Sequence, residues 1–318
     1  MPEYHISHIT RYTYPAPVID SANQVLLFPV SDLLQEVKKH ELVITHHPAV
    51  EVFTDYFGNR TGIFSVLRPH TELSIRSHIE VITRAVSLPE DSSAASLQWE
   101  KLSAEREQFP YMDFMLQESF SAYADIAERV KGLISGDCTP FRAAEKMSAY
   151  VFEHFAYRKG ITSVETEVDE ILRLKAGVCQ DFAHVLLVML RIAGIPARYV
   201  SGYICPKNHE LRGEGATHAW VEAFIPFYGW LGLDPTNNCI VSDRHVRLAV
   251  GRHFSDCTPV KGTYKGPSEH SLEVSVTIDN GEQKKENEEN TPVFSYQVHQ
   301  PGVSNNSYRK FLEMQQQQ

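Results

Sequence analysis

Cysteine is scarce and poorly spaced for structural chemistry. Five thiols, Cys138, Cys179, Cys205, Cys239 and Cys257, are scattered through 318 residues without a Cys-x-x-Cys pair. This argues against a disulfide framework and against a zinc-ribbon site. Basic charge is also short: 30 Lys and Arg face 40 Asp and Glu, a formal charge of −10. Nucleic acid and anionic membrane are therefore disfavoured as main partners. Long apolar runs are missing. The densest, Val185 to Leu190, stops at Arg191, well short of the roughly 18 residues of a spanning helix. Met1 to Arg11 is polar and lacks the apolar region of a secretion signal. A soluble, cytoplasmic protein is the expectation.

What is present is ordinary globular material, 42% hydrophobic and 22% charged. The length suits about two domains. Residues 1–90 read as β. Glu72 to Thr83 alternates with period two, and the stretches 5–14, 41–45, 50–55 and 63–67 are rich in β-branched and aromatic residues. An N-terminal antiparallel, sandwich-like β-domain is expected there. Residues 88–110, rich in Ser, Ala and Glu after Pro89, change character and close at Pro110, and 91–118 reads as a linker with some helix.

The segment 119–195 is helical. Tyr123, Ile126, Val130 and Leu133 follow a 3.6 period, and Thr139-Pro140 supplies an N-cap and a first-turn proline. Thr166 and Asp169 fit a capping box. A helix from Cys179 to Ile192 ends at Gly194, its C′ residue, before Pro196. Strands resume at 197–203, 217–225 and 230–233. Residues 119–278 form the expected core, with the strand Ser271 to Ile278 free to return to either domain. Residues 279–318 read as a polar, loosely attached tail.

The chemistry concentrates in three places. Gly177-Val178-Cys179-Gln180-Asp181 opens the apolar helix. A cysteine there sits at the positive end of the helix macrodipole, which favours negative charge on sulfur. A buried core cysteine is the commoner role for a thiol, but one in the first turn after a glycine is placed for reaction. A nucleophilic thiol needs a base, and the base needs an orienting group. His218 opens one strand and Asp234 closes the next, with the turn Pro226-Phe227-Tyr228-Gly229 between them. A hairpin centred there brings the two residues to one end. The register is open at this level.

These residues carry a family resemblance. Gly-Val-Cys-Gln-Asp-Phe-Ala-His at 177–184 and Gly-Ile-Pro-Ala-Arg-Tyr-Val-Ser-Gly-Tyr at 194–203 are joined by Thr-His-Ala-Trp-Val-Glu at 217–222 and Gly-Trp-Leu-Gly-Leu-Asp-Pro-Thr-Asn at 229–237. With Tyr-Thr-Tyr at 12–14 and Asp-Tyr-Phe-Gly-Asn at 55–59, the chain resembles the transglutaminase-like superfamily over roughly 1–278, in its bacterial branch with a separate N-terminal β-domain. The resemblance implies an α+β class, a papain-like transglutaminase core with a Cys-His-Asp triad. Carried over, Cys179 is the nucleophile, His218 the base and later acid, and Asp234 the orienter. The stretch Gly251-Arg252-His253-Phe254 departs from a family pattern that usually reads Gly-Arg-Asp-Tyr.

Other residues have two readings. Tyr157 is a candidate second oxyanion donor beside the Cys179 backbone N–H, or a packed aromatic. Asp181 and His184 share a helix face and could support the site or make structural hydrogen bonds. Glu222 lies on His218's strand face and either meets substrate or is solvated. Trp220 reads as packing. His5 and His8 point to opposite strand faces, so no shared metal is expected there or at His46-His47. No cofactor is called for, and nothing in the sequence fixes the oligomeric state.

Three functions fit. The favoured one is a thiol hydrolase cleaving a peptide or protein amide through a thioester acyl-enzyme. Water at about 55 M favours hydrolysis unless an amine site shields the thioester, and no calcium loop of EF-hand type appears. Transglutaminase-type acyl transfer to an amine is the second reading. A non-catalytic protein-binding member is the third.

Overall fold

The computed structural model describes residues 1–164, 166–205, 212, 217–266 and 269–280, and the backbone of 293–296. Five strands come first: β1 (Glu3–Val25), β2 (Gln35–Ile44), β3 (Glu51–Thr54), β4 (Arg60–Val66) and β5 (His70–Thr83). Helices α1 (Ala95–Glu105), α2 (Tyr123–Leu133) and α3 (Pro140–His154) follow. The short β6 (Ala156–Tyr157), α4 (Val168–Leu174), β7 (Ala176–Gly177) and α5 (Cys179–Ile192) are next. Then come β8 (Ala197–Ile204), β9 (Thr217–Ile225), β10 (Gly229–Asp234), β11 (Cys239–Ile240) and β12 (His245–Gly251). The last strands are β13 (Val260–Lys265), β14 (Ser271–Asp279) and β15 (Val293–Tyr296). The class is the expected α+β.

The chain forms two compact units, 84–257 and a second made of 1–83 with the residues from 258 onward. This division departs from the sequence reading at two places. Residues 91–118 are not a linker: Leu102 of α1 and Phe114 of a 3-10 turn are buried in the unit 84–257. The Trp99 indole donates to the Cys138 carbonyl at 2.8 Å, and Arg191 donates to the carbonyls of Phe114 and Leu116. Polar anchors with few apolar ones leave a weak periodicity, so composition alone hides this packing. The strand at Ser271–Asp279 belongs with the N-terminal strands, paired to β1 from His5↔Asp279 to Thr13↔Ser271. Within the expected tail, β15 pairs with β14; residues 281–292 and 297–318 lie outside the described residues.

In the N-terminal unit the 23-residue β1 serves two parts of one antiparallel sheet. Its first half pairs with β5 and β14, and after an irregularity between Thr13 and Val18 its second half pairs with β4 and β13. The sheet thus curls on itself. Tyr4, Ile6, His8 and Thr10 alternate inward, as a strand's period of two requires, against Leu73, Ile75, Ile79 and Val81 of β5. His5 and His8 face opposite sides, His8 buried and His5 half exposed.

His8 makes this core acid-sensitive. Its Nε2 lies 3.1 Å from Thr10 Oγ1, and burial lowers its pKa from 6.5 to about 4. The unfolded chain therefore binds the proton more readily between those values, and stability falls as pH drops from 6.5 through 4. The difference is worth about 3 kcal/mol at full loss. In His8→Leu, the fall in urea unfolding free energy of this unit between pH 7 and 4 is expected to shrink by about that amount. An unchanged fall would show that His8 is not held neutral.

In the unit 84–257, α5 is buried from Phe182 to Leu190 except for the half-buried His184, which explains the apolar run from Val185 to Leu190 without a polar face. Its end is the expected one: Gly194 has φ 84°, and Ile195 N–H donates to the Leu190 carbonyl at 2.9 Å. Thr139 caps α3 through Arg142 N–H. The expected Thr166–Asp169 box is not formed. Asp169 instead accepts from Ser121 N–H at 2.8 Å and Ala122 N–H at 3.1 Å, capping the approach to α2. Beside these helices lies an antiparallel sheet in the order β11-β10-β9-β8-β12.

Candidate active site

Cys179 is the first residue of α5, and the turn before it is built tightly. Asp181 reaches back so that its Oδ2 accepts from Val178 N–H at 2.7 Å, and Thr162 Oγ1 donates to the same oxygen at 2.7 Å. A Cβ at Gly177 would collide with this carboxylate, which explains the glycine. Asp181 is thus the helix cap, its pKa raised by burial against the lowering effect of Thr162 and Val178. It shapes the backbone at the thiol.

The hairpin register settles what sequence left open. Leu233 pairs with Val221, so Asp234 lies one step on, beside Trp220 and diagonal to His218. His218 Nε2 donates to Asp234 Oδ2 at 2.8 Å, and both side chains are fully buried. Nδ1 has no hydrogen-bond partner within normal distance among the described residues and is the nitrogen left for the thiol. Burial lowers the His218 pKa, but charge and hydrogen bonding from Asp234, joined by Cys179, outweigh it and raise the group well above 6.5. The structure therefore brings Cys179, His218 and Asp234 together.

Asp234 is held more firmly than an orienting residue alone requires. Its Oδ1 accepts from Thr236 N–H at 2.9 Å and Asn237 N–H at 3.3 Å. Its Oδ2 accepts from Asn237 Nδ2 at 2.7 Å, His218 Nε2 at 2.8 Å and His245 Nε2 at 3.3 Å. Burial raises the carboxyl pKa, yet His218 and His245 together drive it far below the usual range. A carboxylate with this many donors stays ionised.

His245 was invisible in the sequence. It opens β12 at the far edge of the sheet, so the sheet curls to bring it to Asp234. The only sequence signal is a histidine leading a strand, Val246 to Val250, that is apolar but for Arg247. Gly202 gives the room: a Cβ there would strike the Val246 carbonyl and the Trp220 ring. Trp220, 1% exposed, packs edge-on against His245 with centroids 5.3 Å apart. Among the described residues, His218, Asp234 and His245 are the set whose donor atoms approach within 4.8 Å; both ring nitrogens are engaged in hydrogen bonds to the carboxylate.

The other candidates fall in different places. Tyr157 pairs with Gly177 in the short parallel ladder beside the thiol, its ring 6.2 Å from Phe182. His184, one turn into α5, accepts from Phe254 N–H at 3.2 Å; burial lowers its pKa to about 4, helped by His253 and Arg191. It anchors the departing stretch 251–257, which meets His184 and Tyr199. Glu222 is neither solvated nor at the site. It is 6% exposed and pairs with Arg198 at 2.5 Å and Arg247 at 2.8 Å. The two arginines are far apart in sequence, so the pairing had no local signature.

Models of two families match this chain, the transglutaminase-like superfamily over residues 127–235 and the bacterial transglutaminase-like N-terminal region over 4–82. The chain belongs to the transglutaminase-like superfamily. An uncharacterized Mycobacterium leprae protein is 32% identical over 279 residues, covering 86% of this chain and 97% of the relative. A Mycobacterium tuberculosis protein, also uncharacterized, is 32% identical over 293 residues, 87% of this chain and 91% of its own. The "Putative Cysteine Protease" of Cytophaga hutchinsonii superposes with a TM-score of 0.69 at 18% identity, over 93% of this chain and 94% of that one. At that identity the likeness is one of fold.

Proposed function

We propose that this transglutaminase-like protein is a thiol-dependent hydrolase of peptide or protein amides. The observation that carries the reading is the buried His218–Asp234 pair beside a thiol at a helix N-terminus. The Cys179 sulfur attacks the amide carbonyl, forming a C–S bond and a tetrahedral oxyanion. The Cys179 backbone N–H is one donor to that oxygen, and Tyr157 is the candidate for the other. As the C–N bond breaks, His218 gives its Nδ1 proton to the leaving amine and a thioester remains. His218 then takes a proton from water, hydroxide adds to the carbonyl, and the C–S bond breaks to give an acid and the free thiol. Asp234 holds the ring and balances the imidazolium throughout.

Acyl transfer to an amine is the second reading. Its support is a segment 36% identical over 100 residues to a protein-glutamine gamma-glutamyltransferase of Pseudomonas aeruginosa, spanning 29% of this chain and 15% of that protein. Both readings share the thioester and differ in what attacks it. The test offers casein and glutamine-containing peptides with and without a fluorescent primary amine, and follows acid formation, amine incorporation and acyl mass on Cys179. Hydrolysis without incorporation is expected, with acid formation and the acyl adduct both lost in Cys179→Ala. Incorporation outpacing hydrolysis would move the second reading to first place. An alkylatable Cys179 with no acyl adduct from any amide would favour a binding role.

A further inference from the structure

We propose that His245 is a positioning residue for the His218–Asp234 pair, a neutral donor that locks Asp234 Oδ2 from the far edge of the sheet. This rests on the reading of Cys179 and His218 given above.

The tautomer follows from the hydrogen bonds. Ser242 N–H donates to His245 Nδ1 at 3.2 Å, so Nδ1 carries the lone pair. The proton then sits on Nε2, which lies 3.3 Å from Asp234 Oδ2. The side chain is 1% exposed, and Trp220 closes one side of the ring. Neither water nor a shift of the exposed surface easily replaces this contact. Its length, beyond the 2.8 Å of the His218 bond, marks it as the weaker of the two, a support and not the primary partner.

Neutrality is what makes the arrangement useful. One carboxylate faces two imidazoles, and its single charge can stabilise one imidazolium. A second cation would cancel the field that favours charge on His218. Burial opposes charge on His245 first, and the neighbouring His218 and Arg244 oppose it further, while Asp234 alone favours it; the balance lowers its pKa. Around the pair, Cys179 acts on His218 and Cys239 lies near Asp234. The Ser242 N–H enforces the same outcome by geometry, because a protonated Nδ1 would lose its donor. His245 therefore supplies a hydrogen bond without competing for the charge.

The experiment measures iodoacetamide alkylation of Cys179 from pH 5 to 10 by peptide mass spectrometry. Wild type is compared with His245→Leu, His245→Gln and His218→Ala. Nitrogen-15 histidine NMR of the same intact proteins reads the tautomers and the His218 titration. His245→Leu is expected to lower the His218 titration by about one pH unit, the scale of one long charge-assisted hydrogen bond, and to move the alkaline limb of the alkylation profile with it, while alkylation at pH 7, where His218 is still charged, changes little. His245→Gln, whose amide nitrogen can occupy the place of Nε2, is expected within about twofold of wild type. Wild-type His245 is expected as the Nε2–H tautomer at neutral pH. A merely structural role would lower stability in both variants without moving the His218 titration. Profiles that coincide for wild type and both His245 variants, with His218→Ala distinct, would overturn the inference. So would an Nδ1–H or cationic His245 at pH 7, a readout that needs no variant to fold. Unchanged alkylation in His218→Ala would instead sink the thiol–imidazole reading, a separate failure.

Discussion

Replacing His218 with alanine is expected to slow alkylation of Cys179 about tenfold at pH 7, and to cut any amide turnover by about 10² to 10⁴. The first figure follows from thiolate population. An unassisted thiol is only a few per cent ionised at pH 7, while a thiol paired with an imidazolium is largely ionised. The gain is trimmed because a more stabilised thiolate is less nucleophilic. The second is the usual contribution of a positioned acid–base group. The pH dependence has a definite sign. His218 is raised in the folded protein by Asp234 and Cys179. Its charge is therefore present at neutral pH, and the stability linked to it is full below about 6.5 and lost as pH rises through the raised value. The reactivity advantage of wild type over His218→Ala should be greatest at low and neutral pH and vanish in alkali.

The remaining cysteines calibrate this measurement. Cys138, Cys205 and Cys257 are buried, and burial pushes the half-buried Cys239 up to about 12, with Asp234 adding to the effect. They should alkylate slowly in both proteins and at matched rates once unfolded in urea. A Cys179 that reacts no faster than Cys239 in wild type would mean that the thiol and the imidazole do not act as a pair.

The parts legible in sequence are those whose signals are local. Period-two alternation marks β5, Thr139-Pro140 and Gly194 mark helix ends, and the order of Cys179, His218 and Asp234 marks the residues that the structure brings together. The parts that were not legible depend on partners distant in the chain. Asp169 has the spacing of a local cap, but its bonded amides lie 47 and 48 residues away. The strand at Ser271–Asp279 reads equally well in either unit, because only its pairing with β1 decides. Residues 91–118 are tied in by carbonyls and a handful of buried side chains, which composition does not register. His245 belongs with these: its meaning comes from a carboxylate on a strand that is not its neighbour.

Glu222 shows the same gap in energetic form, and its loss is the largest stability effect expected. It shares a strand face with His218, but four residues along a strand is about 13 Å, enough to separate it from His218. There its Oε2 takes Arg198 and its Oε1 takes Arg247 at 2.8 Å. The Arg198 guanidinium also lies over the Trp230 ring at 4.3 Å. Three charges with little solvent are stable only while all are paired. Glu222→Leu removes the carboxylate that both arginines share. The expected cost is about 3 kcal/mol, at the lower end for breaking a buried pair because both arginines keep some exposure. The triple replacement Glu222→Leu, Arg198→Met, Arg247→Met should recover most of that loss, since hydrophobic residues of similar volume often replace a buried ion network without penalty. Urea unfolding of the full chain checks both values, and Cys179 alkylation in the folded variants should match wild type. A loss under about 1 kcal/mol in the single variant would place the network with solvated surface pairs. A triple variant no better than the single one would show that the arginines matter for packing, through Trp230, and not for their charge.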